Sequence, residues 1–168
     1  MATIQSEVVT KGSANVTVYV DLTQDNSGAN PGDPLTALVY NSTGLICYYV
    51  RTGAVPVAVT LATQTVSGAH ADGGFVELSA SNMPGKYRLD VPDAAFADGV
   101  DNVQIMLSGY VDLTPHTINV QLTAVDLQDA ADLGLTSLTG HTPQSGDSYA
   151  VVTHSTYGNP ALQSNHVV

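Results

Sequence analysis

Basic side chains are scarce in this chain: four Lys and Arg stand against fifteen Asp and Glu, a net charge of −11. A surface of that sign repels phosphate backbones and anionic lipid headgroups, so no nucleic acid and no membrane partner is expected. Tryptophan is absent. The broad aromatic platforms on which sugar-binding modules lean are therefore missing, leaving tyrosines such as Tyr40, Tyr49 and Tyr110 to serve such a role. Cys47 is the only cysteine, which rules out an intrachain disulfide. Its place in the apolar run LICYYV suits a small buried hydrophobe better than a reactive thiol. No segment approaches the ~20 apolar residues of a membrane-spanning helix. The opening MATIQSEVVTKG has neither a basic region nor an apolar run of signal-peptide length, which predicts synthesis and folding in the cytoplasm.

Chemical motifs are lacking too. The sequence holds no GxSxG elbow, HExxH pair, P-loop or dinucleotide fingerprint, and its serines and histidines show no spacing that specifies a triad. Enzymatic function and a bound cofactor are not expected. His70, His116, His141, His154 and His166 are scattered without zinc-site spacing, and they read as surface histidines, His116 in a loop with Pro115. The loop DLTQDNSGANPGDP offers Asp21, Asp25 and Asp33, with Asn26 and Ser27, as oxygen ligands of the kind calcium takes. Its spacing is not that of an EF-hand, and Asx-turns explain the same residues. The pairs Asp90 with Asp93 and Asp129 with Asp132 read as solvated or capping carboxylates.

What the chain does have is period-two alternation. Val16, Val18, Val20 and Leu22 alternate with Thr17, Tyr19 and Asp21, which puts one apolar face on a strand. In GLICYYVR (44–51) both faces are apolar, predicting a central strand covered on each side. Val55, Val57, Val59 and Leu61 alternate again, and Pro56 marks an edge or a strand start. Phe75 to Leu78 follow a Gly73-Gly74 turn. In NMPGKYRLDVPDAAFADG (82–99), Tyr87, Leu89 and Val91 share one face and Lys86, Arg88 and Asp90 the other, so two of the four cations are expected on the outside. Pro92 stops that strand, and Asp93 is placed to cap a short helix ending at Gly99. Val103, Ile105 and Leu107, then Ile118, Val120, Leu122 and Ala124, supply two more strands.

Seven such strands with one short helix predict an all-β domain over residues 1–125. The expected arrangement is an immunoglobulin-like antiparallel β-sandwich, with a small closed barrel as the alternative. After Asp126 the composition turns to Gly, Ser, Thr and Pro, with isolated apolar residues. Residues 126–168 are therefore expected to be an arm, a short helix then an extended segment, that is either disordered or lies on a neighbouring molecule, anchored there by Tyr149, Val151, Val152 and Tyr157.

The series YNSTGLICYYVRTGAVPVAVTLATQTVSGAHADGGFVELSASNMPGKYRLDVPDAAFADG (40–99), then VQIMLSG, then HTPQSGDSYAVV, resembles modules in structural proteins of tailed bacteriophages, especially fibre and baseplate-upper-protein-like chains. The resemblance implies a non-enzymatic virion component, in tail, baseplate or fibre, present as a homo-oligomer and contacting other virion proteins. In longer relatives a TPQSGDSYA-like segment leads into further regions, whereas this sequence stops at Val168, which weighs against receptor binding. A capsid decoration protein, a tail-tube subunit, a filament subunit, or a carbohydrate- or calcium-dependent binding module are the alternatives. Lys86 and Arg88 would be free to pair with acidic residues of a neighbouring copy.

Overall fold

The structure, a computed structural model, describes residues 3–125. The expected arm and its anchors Tyr149, Val151, Val152 and Tyr157 lie outside the described residues, as do Asp129, Asp132, His141, His154 and His166.

Strands form wherever the alternation is found, and two sheets result. One has five strands in the order β1 (Thr3–Thr10), β9 (His116–Thr123), β8 (Asn102–Ser108), β3 (Ile46–Arg51) and β4 (Val57–Val59). The other has four, in the order β2 (Thr17–Asp21), β7 (Met83–Asp90), β6 (Gly74–Ser79) and β5 (Ala62–Thr63). Neither sheet closes on itself, so the barrel alternative does not hold. The expectation of purely antiparallel sheets needs correction: β1 runs parallel to β9, and β5 parallel to β6. Hairpins impose antiparallel pairing only between strands joined by tight turns. Almost the whole domain separates β1 from β9, and a long loop, residues 64–73, returns the chain from β5 to β6.

The two sheets share one core. Val18, Val20, Phe75, Tyr87 and Leu89 meet Cys47, Tyr49, Val103, Ile105, Leu107, Ile118, Val120 and Leu122 in a single cluster. The Tyr87 ring stacks on Phe75 with centroids 4.9 Å apart. Its hydroxyl donates to Leu35 O at 2.8 Å and accepts from Leu38 N at 3.1 Å. One buried tyrosine thus fastens the β2–β3 connection to the core, and burial pushes its hydroxyl pKa up.

Four local expectations are revised. Strand β1 was not foreseen, because TIQSEVVT alternates poorly. β3 is covered on one face only, with Ile46 and Tyr48 exposed on the other. The short helix is a 3-10 turn, Asp93–Phe96, without a side-chain cap: the Asp93 carboxylate instead accepts from Asn15 N at 2.7 Å. His116 opens β9 and is buried. Pro56 does precede an edge strand, β4.

Candidate functional site

Lys86 and Arg88 were the expected outward cations; Lys86 does face outward, but Arg88 is buried. Neighbouring outward positions on a strand lie two residues apart, so Arg88 and Asp90 sit side by side on β7. Arg88 Nε lies 2.8 Å from Asp90 Oδ1 and Nη2 lies 3.0 Å from Oδ2. Loop 64–71 folds over the pair. Arg88 Nη1 donates to the carbonyls of Thr65, Val66 and Gly68, while Asp90 accepts from Thr17 Oγ1, Gln64 Nε2 and Ala71 N. Arg88 is 6% exposed and Asp90 0%. Burial alone would raise the Asp90 carboxyl, but Arg88 and the other donors together hold it at about 2. The reading of Asp90 as a solvated carboxylate is overturned with the reading of Arg88 as a free cation. Lys86, partly exposed, spends its charge on Asp21 within the chain, Nζ to Oδ1 2.8 Å.

The candidate calcium ligands are not gathered. Asp21 is engaged by Lys86, and Asp25 accepts from Ser27 N at 2.7 Å in an Asx-type turn. Hydrogen bonds from the Ser27 side chain and backbone hold the Asp25 carboxyl below the usual range. Asp33 contributes its backbone carbonyl to Gln24 N at 2.8 Å. Among the described residues no three His, Cys, Asp or Glu side chains come together as a metal set.

The histidines and tyrosines divide differently from expectation. His116, at 2% exposure, has no hydrogen-bond partner among the described residues for either ring nitrogen, and burial lowers its pKa. His70 Nε2 lies 3.2 Å from Val16 O and its ring is largely covered. Tyr49 is buried and Tyr110 packs against the core, which leaves Tyr40 alone of the three proposed sugar-stacking tyrosines exposed. Cys47 is buried, and desolvation pushes its thiol up to about 12, consistent with the inert-core reading.

The feature that sequence reading missed is the outer face of the five-stranded sheet. Strand register puts Ala58, Tyr48, Met106 and Thr117 in one row across β4, β3, β8 and β9. The next row is Val50, Gln104, Asn119 and Ser6. Ile46 with Ser108, and Asn102 with Gln121 and Val8, complete the face. None of these positions is Asp, Glu, Lys or Arg. Ile46, Tyr48 and Met106 are 46, 41 and 42% exposed. Beside Tyr48 and Met106 lies a hollow of about 150 Å³ that also touches Pro56, Gln104 and Thr117.

The uncharged surface continues along one flank. From Thr52 to Ala71 the chain crosses from β4, at the edge of one sheet, to β5, at the edge of the other, without one Asp, Glu, Lys or Arg, and Val55, Val57 and Val66 are exposed. A signal for this was available: the outward positions of β3 and β8 read Ile, Tyr, Val and Gln, Met, Ser, where a solvated strand face ordinarily carries charge. Chemically, such a face excludes water from a partner surface. Neither the family models nor the curated proteins compared with this chain match it.

Proposed function

We propose that the chain is a non-enzymatic structural protein of a tailed-phage virion, a tail, baseplate or fibre component that works by associating with copies of itself and with other virion proteins. One observation carries the self-association: a chain of net charge −11 keeps a whole five-stranded face free of charge and leaves Ile46, Tyr48 and Met106 exposed on it. Solvating such a face serves no folding purpose, whereas burying it against another subunit gains about 25 cal/mol per Å² of apolar surface.

Within the same reading, the fold is an immunoglobulin-like sandwich. What supports this is the strand order: β1 parallel to β9, then β8, β3 and β4 in one sheet, against β2, β7 and β6 in the other, with a 3-10 turn between β7 and β8. The place in a virion rests on the resemblance of residues 40–99 to phage structural modules. Residues 126–168 are proposed to reach a neighbouring copy, with Tyr149, Val151, Val152 and Tyr157 as anchors, because added strands satisfy open sheet edges.

The test is the solution mass of the full chain, with and without V151D/V152D, followed by a search for the chain in purified particles. A defined oligomer that the double substitution weakens without shifting the melting transition is the expected result. A full chain that stays monomeric, or particles that lack it, would overturn the reading.

A further inference from the structure

Resting on that self-association reading, we infer that a second copy of the chain docks on the outer face of the five-stranded sheet about a two-fold axis, with Met106 of each copy seated in the hollow beside Tyr48 of the other.

Charge selects the occupant. A partner surface that brings charge of either sign to this face must desolvate it with nothing there to pair with. A second copy carries the same −11, so it can approach closely only where neither surface brings charge to the contact. The uncharged face meets that condition on both sides at once.

Size and shape agree. Five strands about 4.8 Å apart and about 20 Å long present on the order of 500 Å² per copy, so a pair buries about 1,000 Å², the lower bound for a specific interface. A single patch used by both subunits gives a closed, isologous pair. It must then be complementary to itself. Here a flexible thioether, 42% exposed, stands beside a hollow of about 150 Å³ walled by an aromatic ring, which is a knob and its hole on one surface. The polar members Gln104, Gln121 and Thr117 each can donate and accept, so copies of this set can satisfy one another.

Sedimentation equilibrium on the full chain tests the pairing. M106E places two carboxylates in the contact and is expected to weaken self-association about 30-fold or more, the scale of a lost hot spot. V111E, at an exposed position in the β8–β9 loop and outside the strands of this face, adds the same charge and is expected to leave the association constant unchanged. An equimolar mixture of M106E and M106K is expected to regain association. Should M106E not fold, judged by its melting curve, Q104K makes the same test from the neighbouring row. A folded M106E that associates like the parent protein, or a V111E that weakens it equally, overturns this face while leaving self-association standing. A parent chain that is monomeric at every concentration overturns both.

Discussion

Arg88 and Asp90, two residues apart on β7, form a bidentate ion pair beneath loop 64–71, and every donor and acceptor of the pair that faces the loop is occupied. The pair holds the loop to the sheet. Breaking a buried pair from one side strands the other charge. Arg88→Met is therefore expected to lower stability by about 3–5 kcal/mol, read from urea unfolding, and to expose the loop to proteolysis. A loss below about 1 kcal/mol would show that the pair does not anchor the loop.

The same pair sets an acid limit. The Asp90 carboxyl is held at about 2, below its unfolded value near 3.8, so its stabilisation is complete above the unfolded pKa. It is lost as pH falls from about 4 through about 2. Arg88→Met, with the carboxylate unpaired, should lose this protection and unfold at a higher pH than the parent. Coincident acid transitions would contradict the assignment.

His116 works in the opposite part of the range. Buried with no hydrogen-bond partner among the described residues, it folds as the neutral imidazole, with its pKa below the ordinary 6.5. The unfolded chain then binds the proton more readily than the native one, so stability rises with pH. From about pH 6.5 downward the domain should lose up to about 1.4 kcal/mol per pH unit until the folded pKa is reached. The nearby Asp21 charge offsets part of this. His116→Leu is expected to flatten the slope between about pH 7 and 5 in a series of unfolding titrations. An unchanged slope would place the proton elsewhere.

Cys47 reports on opening of the core. Its thiol is 2% exposed and pushed up to about 12, so a thiol reagent at mildly alkaline pH should react only through unfolding, at a rate that rises with urea. Prompt labelling of the native protein would contradict the packing of β3.

Much of this fold is legible from spacing. The inward series Val18 and Val20, Tyr87 and Leu89, Val103 to Leu107 and Ile118 to Leu122 all emerge from alternation, because the core fixes every second residue. Alternation says nothing about what covers the other face. Arg88 looked exposed by parity, yet a loop that is remote in sequence closes over it, and only tertiary structure places Thr65 to Gly68 there. His116 followed a proline and resembled a loop residue, although its position continues the buried parity of Ile118 and Val120. The parallel pairing of β1 with β9 depends on residues more than a hundred positions apart and leaves no local trace. The uncharged face was present in the letters of β3 and β8, but it becomes a surface only when register aligns Tyr48 with Met106 and Thr117.

The most direct test of assembly through an uncharged face is light scattering of the full chain while NaCl rises from about 0.02 to about 0.5 M, across which the Debye length falls severalfold. Screening weakens repulsion between two acidic copies and leaves apolar burial intact. The expected result is a mass that increases with protein concentration and increases further with salt. Dissociation by salt would mean that ion pairs hold the copies together, and a monomer throughout would mean that nothing does.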